Sequence, residues 1–444
     1  MKNSGIEWIG EIPDGWEIRP LKYLFSFEKG LPITKADLLP SGIKVISYGQ
    51  IHAKYNRSAY VDEQLYRYVS EKYLKANRNS LVQKGDFIFA DTSEDIEGAG
   101  DFVYIDIKDI IFAGYHSIIL RHRSKDTNKY LAYLFMTKEW KSQIQSRVSG
   151  IKVYSISRGI LAKALLLLPP MQRQCQIVEY LDKKCAAVDR LIENQRAQIE
   201  KLKEYKQSVI TEAVTRGLDP SAPMKDSGVG WIGDIPKGWE MLKMVQVCNL
   251  ITDYVASGSF ADLANNVTYL DYPDYALLVR TIDVSGKGHN AQCVYINKHA
   301  YDFLANSNLY GGELMFPNIG ASVGDVYIVP KLYEKMSLAP NSIMVRAKYN
   351  NKFIYYYFST TIGRFSLLDI AQSTAQPKFN KTDFRQLKII FPEIEEQRQI
   401  VDYLDKKCAE IDKLIAIKQQ KIETLTEYNK SLIYEYVTGK KQVG

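Results

Sequence analysis

Cysteine is scarce in this chain: five residues in 444, odd in number and scattered, which excludes a disulfide framework. Cys175, Cys185, Cys248, Cys293 and Cys408 never stand two residues apart, so they offer no zinc-ligand spacing. Long apolar runs are missing as well. The longest aliphatic stretch, Ala164 to Leu168, falls far short of the roughly 18 residues of a membrane span. The opening MKNSGIEWIG lacks the apolar core of a secretion signal, so a cytoplasmic protein with no membrane partner is expected. Strong charge of either sign is absent, and a formal net charge of +7 permits a nucleic-acid partner without demanding one. Proline is missing between Pro170 and Pro220 and again after Pro392, leaving two stretches where a long helix can run unbroken.

Catalytic motifs are equally scarce. The Asn/Asp-Pro-Pro-aromatic motif that holds a flipped adenine does not occur, because the one Pro-Pro pair, Pro169-Pro170, follows Leu168. Glu97-Gly98-Ala99-Gly100 has its glycines wrongly spaced for a methyl-donor loop, and no phosphate-binding Gly-x-x-x-x-Gly-Lys-Ser/Thr loop is present. Asp106-Ile107-Lys108 fits a nuclease triplet only as commonplace surface residues do. His52, His116, His122, His289 and His299 form no metal-ligand spacing, and no nucleophile-elbow motif supports a Ser/His/Asp triad. The expectation is a chain with no catalytic residues, no metal and no cofactor.

What is present is a repeat. Residues 8–17, WIGEIPDGWE, return at 231–240 as WIGDIPKGWE, and residues 177–185, IVEYLDKKC, return at 400–408 as IVDYLDKKC. Both pairs share one offset, 223 residues, half the chain length. A weaker pair, Asn128-Lys129-Tyr130-Leu131 and Asn351-Lys352-Phe353-Ile354, keeps that offset. Between these anchors the offset drifts. Lys84-Gly85-Asp86-Phe87-Ile88-Phe89 matches Gly311-Gly312-Glu313-Leu314-Met315-Phe316 at 227, and His116-Ser117-Ile118-Ile119 matches Asn341-Ser342-Ile343-Met344 at 225. The two bodies thus share a scheme of short β-type runs punctuated by Gly and Asn, with loops of different length. Diverged loops on a common frame suit two readers with different targets; neutral drift of surface loops is the alternative.

Each half ends in a helical seam. A 4-3 spacing picks out Leu181, Cys185, Val188, Ile192, Gln195, Ile199, Leu202, Lys206, Val209 and Ala213. The second copy gives Leu404, Cys408, Ile411, Ile415, Lys418, Ile422, Leu425, Asn429, Leu432 and Tyr436, with polar residues at the same two positions. Such helices most simply pack on each other, and Cys185 and Cys408 read as small seam residues rather than reactive thiols. Helices of about 45 residues span roughly 65 Å, against roughly 34 Å for one turn of DNA. An ordinary helical hairpin with no DNA role fits the periodicity equally.

Taken together, the chain resembles the specificity subunit of Type I restriction-modification systems, from Ser4 to Lys440. The residues that carry the resemblance are Trp8-Ile9-Gly10-x-Ile12-Pro13-x-x-Trp16 with Trp231-Ile232-Gly233-x-Ile235-Pro236-x-x-Trp239. The helix openings add Leu168-Pro169-Pro170 with Gln174-x-x-Ile177-Val178-x-x-Leu181-Asp182, and Phe391-Pro392 with Gln397-x-x-Ile400-Val401-x-x-Leu404-Asp405. One departure is Arg173-Gln174 where the second copy has Glu396-Gln397.

The resemblance implies an α+β protein: two pseudo-symmetric mixed α/β target-recognition domains separated by a pair of long antiparallel coiled-coil helices. It divides the chain into recognition domain 1 (1–168), a central helix (169–217), recognition domain 2 (218–391) and a C-terminal helix (392–444). It further implies that each domain reads half of a split site in double-stranded DNA and that the helices set the gap. Two modification (methyltransferase) subunits and two restriction (motor-nuclease) subunits would bind this scaffold. A circular layout would bring Lys440 close to the opening segment at Ser4, as Gly217 leads into Ser227, and would make the helices antiparallel.

Base reading needs Arg, Asn, Gln, Ser or Thr on firmly held loops, with Lys and Arg on phosphates. Two loops per body fit. In the first they supply Tyr48, Gln50, His52 and Lys54, then Lys152, Tyr154 and Ser155; in the second, Arg280 and Thr281, then Thr374, Gln376 and Lys378. Tyr355-Tyr356-Tyr357-Phe358 would offer a stacking platform, but its counterpart Ala132-Tyr133-Leu134-Phe135 sits in a helical run, which favours core packing. A self-contained methyltransferase and a coiled-coil adaptor without a DNA role both stay open on sequence alone.

Overall fold

The computed structural model describes residues 1–6, 9–56, 59–124, 129–150, 152–286, 292–371 and 376–443. The chain forms two compact units, Met1–Arg196 with Gln420–Gly444, and Ala197–Gln419. Each unit joins one body to the near ends of both long helices.

In the first unit a four-stranded antiparallel sheet runs in the order Phe102–Tyr104, Phe87–Ala90, Ser117–His122, Phe25–Lys29. A second, mixed sheet runs Arg67–Val69, Ile43–Ile46, Ile111–Ala113, Leu81–Val82, its two central strands parallel. The strand Phe87–Ala90 is buried along its whole length because both its faces are covered. Its alternation sends Phe87 and Phe89 into the core beside the helix Lys129–Met136, and Ile88 and Ala90 into the core shared with the second sheet. Tyr133, Leu134 and Phe135 pack in the first of these cores.

The second unit repeats the plan strand for strand. Its antiparallel sheet runs Tyr327–Ile328, Leu314–Pro317, Ser342–Ala347, Cys248–Asp253. Its mixed sheet runs Tyr295–Ile296, Ala276–Val279, Met336–Leu338, Asn308–Leu309, again with the central pair parallel. The helix Asn351–Phe358 buries Tyr356, Tyr357 and Phe358, so this aromatic run is core, as its counterpart indicated.

The helices Met171–Arg216 and Ile394–Val437 are continuous. All twenty seam positions are buried or half-buried, whereas most residues between them are exposed. In the first unit Ile177, Leu181 and Cys185 share a core with Leu432, Tyr436 and Val437, the start of one helix beside the end of the other. In the second, Lys206 Nζ donates to both carboxylate oxygens of Asp412 at 2.7 Å, and Lys418 donates to Gln198. The pairing in each unit is antiparallel. The polar seam residues Lys206 and Lys418 therefore find partners on the facing helix and help fix its register. Burial pushes the Cys185 thiol up to about 12 and raises that of Cys408, as expected of packed rather than reactive cysteines.

The repeated motifs are joints. Gln174 and Gln397 each close a first helical turn by donating Nε2 to a carbonyl five residues back, Pro169 at 2.9 Å and Pro392 at 2.8 Å. Both helices end at a glycine in the left-handed region, Gly217 (φ 78°) and Gly439 (φ 73°), where a side chain would be strained. A Cβ on Gly439 would lie 2.5 Å from Pro13 and 3.1 Å from Trp16, and one on Gly217 would lie 3.3 Å from Trp239. Each opening segment thus caps the helix that ends beside it. Lys440 Nζ donates to the carbonyls of Ile9 and Glu11 at 3.1 and 3.0 Å, which closes the chain on itself as the circular layout required. The departure at Arg173 has a visible consequence. Trp239 Nε1 donates to Glu396 at 2.8 Å, whereas Arg173 instead donates to the Val443 carbonyl at 3.0 Å.

A repeated carboxylate contact helps fasten each body to its helix. Asp182 accepts from Lys129 Nζ at 2.8 Å and Tyr133 Oη at 2.6 Å; Asp405 accepts from Lys352 Nζ at 2.5 Å and Tyr356 Oη at 2.8 Å. Truncating the carboxylate strands a half-buried ammonium and a phenol together. The side chains of Lys129 and Asp182 are 19% and 31% exposed, against 52% and 38% for Lys352 and Asp405, so solvent screens the second pair more. Asp182→Ala is therefore expected to cost about 1–3 kcal/mol, and Asp405→Ala less, by thermal or denaturant unfolding. Equal costs would contradict the burial argument.

Candidate nucleic-acid interface

The expected loops are more ordered than loops. Tyr48–Ile51 and Thr281–Val284 are single helical turns, because a side chain closes each one. Gln50 Oε1 accepts from the Ser47 amide at 3.2 Å, and Asp283 Oδ2 accepts from the Arg280 amide at 2.8 Å. Tyr154–Ser155 is likewise a short strand, paired with Thr92–Ser93.

In the first body the two segments converge. The His52 ring bonds through Nδ1 to Asp101 Oδ2 at 3.0 Å and through Nε2 to the Thr92 carbonyl at 2.9 Å, and Thr92 pairs with Ser155. Both ring nitrogens thus face acceptors, an arrangement that the doubly protonated imidazolium satisfies. Lys141 completes the cluster with Asp101 Oδ1. Burial opposes the charge on His52, but the Asp101 hydrogen bond and the Thr92 carbonyl outweigh it and hold the imidazole above its ordinary range. Burial also works to raise Asp101, yet the hydrogen bond from His52 and the charge of Lys141 hold it below the usual carboxylate range. His52 therefore pins the surface together with both ring nitrogens occupied. Tyr48 stacks edge-on against Tyr115 and His116, at centroid distances of 5.7 and 5.6 Å. Lys54, Lys152 and Ser155 are exposed, while Gln50 and Tyr154 are half-buried.

In the second body the later segment is paired in the same way. Ile319 bridges to Lys378, and Gly320 donates to the Pro377 carbonyl at 3.0 Å. Thr281 Oγ1 lies 3.4 Å from Ser342 Oγ. Arg280 is engaged at home: Nε and an Nη reach Asp283 at 3.1 and 2.8 Å, and the same Nη reaches the Gln292 carbonyl at 2.8 Å. Gln376 and Lys378 are exposed, with a Gly320 Cβ position 3.6 Å from Gln376 Nε2. Thr374 lies outside the described residues. Sequence reasoning missed Asp101 and Thr92, which meet His52 only through pairings 40 residues or more apart in the chain. Among the described residues no group of His, Cys, Asp and Glu could hold a metal ion, and no helix is long and apolar enough to cross a membrane.

The family model for the Type I restriction modification DNA specificity domain matches twice, over residues 13–201 and 236–427. The chain belongs to this family, carries its domain in duplicate, and as a specificity subunit is not itself the catalyst. It is 26% identical to the type I restriction enzyme MjaX specificity subunit of Methanocaldococcus jannaschii, over 98% of this chain and 96% of that one. With the StySPI specificity subunit of Salmonella potsdam it shares 22% identity, over 95% and 87% of the two chains. With the EcoKI specificity subunit of Escherichia coli the figures are 20%, 91% and 84%. In a structure described as showing complex assembly and conformational transition of the type I R-M system, one chain shares its fold with a TM-score of 0.67. That match has 14% identity and covers 96% of this chain and 98% of that one.

The His52–Asp101 pair gives the first body a pH signature. A raised His52 contributes stability below its unfolded value near 6.5 and loses it as pH climbs through the folded value. A lowered Asp101 contributes above its unfolded value of 3.8 and loses it as pH falls through the folded value. The melting-temperature gap between the native chain and His52→Gln should accordingly be wide below the unfolded value and narrow as pH rises above it. A gap that widens with alkali would refute the imidazolium assignment.

Proposed function

We propose that each body, residues 1–168 and 218–391, reads one half of a two-part site in double-stranded DNA. The paired helices, 169–217 and 392–444, set the gap between the halves. The observation that carries this reading is one fold built twice, with the candidate segments brought together on each copy and differing in their residues. Tyr48, Gln50, Tyr154 and Ser155 in the first body, and Thr281 and Gln376 in the second, would present the polar edges that base reading needs, and Thr374, outside the described residues, has a hydroxyl of the same kind. Lys54, Lys152 and Lys378 supply phosphate contacts, while His52 and Arg280 hold the surface in shape. Helices of 46 and 44 residues are each about 65–70 Å long, roughly two turns of B-DNA.

The chain would serve as the scaffold for two modification subunits and, in the cleaving complex, two restriction subunits. The division of labour leaves methyl transfer and cleavage to those partners.

Duplex binding by the purified chain tests this directly. Affinity should fall steeply with salt, and Lys152→Ala or Lys378→Ala should each reduce the slope of log affinity against log salt by about 1. Binding that ignores salt, or methyl transfer from a labelled donor by the chain alone, would overturn the proposal.

A further inference from the structure

Only two non-glycine residues among those described adopt the left-handed backbone region, His116 (φ 53°) and Asn341 (φ 69°). They occupy the same place in the two bodies. Each stands directly before a central strand of the antiparallel sheet, Ser117–His122 or Ser342–Ala347.

The surrounding hydrogen bonds match as well. The His116 carbonyl accepts from the Asp91 amide at 3.2 Å, and the Asp91 carbonyl accepts from Ile156 at 2.7 Å. In the second body the Asn341 carbonyl accepts from Asn318 at 3.1 Å, and the Asn318 carbonyl accepts from Phe379 at 3.1 Å. Ile156 follows Tyr154-Ser155, and Phe379 follows Pro377-Lys378. The two residues are thus tied by backbone to the segments placed at the candidate interface. On the other side they meet the helical turns: the His116 ring packs on Tyr48, and Ser342, next to Asn341, meets Thr281.

Glycine would fill a left-handed position without the steric cost, of order 1 kcal/mol, that a side chain brings. Both positions carry side chains, and both side chains are exposed, that of His116 by 57%. The His116 ring is steadied by Asp91 Oδ1 at 3.2 Å from Nδ1, and among the described residues Nε2 has no hydrogen-bond partner. Among the described residues the Asn341 amide has no side-chain hydrogen-bond partner. The backbone is locked, and the polar tip is left unused.

We propose that His116 and Asn341 are specificity-determining residues, each meeting base edges in the half-site read by its own body. This rests on the DNA-reading function argued above. An asparagine amide matches the donor-acceptor edge of adenine, and an imidazole can donate to or accept from a purine edge. Different side chains at one position give the two bodies different preferences.

The test selects bound sequences from a pool of random-sequence duplex DNA with the full native chain, then with His116→Ala, His116→Gly, Asn341→Ala and Asn341→Gly. The glycine variants suit the backbone and should melt no lower than the native chain. The native chain should return a two-part motif. Each variant should lose about tenfold or more of its base preference at one or two positions in one part, a different part for His116 than for Asn341, and leave the other part intact. Unchanged motifs in all variants would overturn this inference while sparing the reading beneath it, whereas changes in both parts from one substitution would overturn the two together. A native chain that returns no motif would overturn both.

Discussion

A carboxylate on each long helix, Asp182 in one copy and Asp405 in the other, holds the recognition body by accepting a lysine ammonium and a tyrosine hydroxyl at once. The rest of the structure depends on that joint. A body can present a fixed surface to DNA only if it is fixed to the element that sets its position, and two charge-assisted or short hydrogen bonds on one carboxylate constrain direction as well as distance. The apolar contact around the joint, Ile177, Leu181 and Cys185 in one unit and Ile400, Leu404 and Cys408 in the other, supplies the attraction that a half-exposed ion pair cannot.

This explains why the repeat offset holds in some places and drifts in others. It is 223 residues at Lys129/Lys352, at Asp182/Asp405 and again at Ile156/Phe379, all positions that touch the helix or fix a segment leading to it. It slides to 225 at His116/Asn341 and to 227 at Phe87/Leu314, within the sheets whose loops make up the candidate surface. Joints cannot change length without moving the body. Loops can, and on the proposed function it is their residues that would carry the specificity.

Much of the frame was legible in the sequence for the same reason. A duplicated chain states its joints twice, so Gln174/Gln397, Asp182/Asp405 and the seam residues stood out before any contact was known. The common fold of the two bodies was legible only as a scheme of short strands, since the parallel pairing of Ile43–Ile46 with Ile111–Ala113 spans a separation that no local pattern encodes. The hydrogen bonds that hold the candidate segments were not legible. His52 and Arg280 have the chemistry of DNA contacts, yet partners far along the chain or on a neighbouring turn occupy them: Asp101 and Thr92 for His52, Asp283 and the Gln292 carbonyl for Arg280. Left-handed backbone at His116 and Asn341 was signalled in sequence only by the repeat match and by residue types that tolerate that region.

Two like modules making separate contacts with separate stretches of duplex is the central claim, and exchanging one module tests it most directly. Residues 20–165 replaced by the corresponding body of another family member, with the native helices retained, give a hybrid whose methylated motif can be mapped in a cell supplying the modification subunits. The account predicts a motif with one new half, one old half and the original gap. A hybrid that changes both halves, or neither, would contradict it.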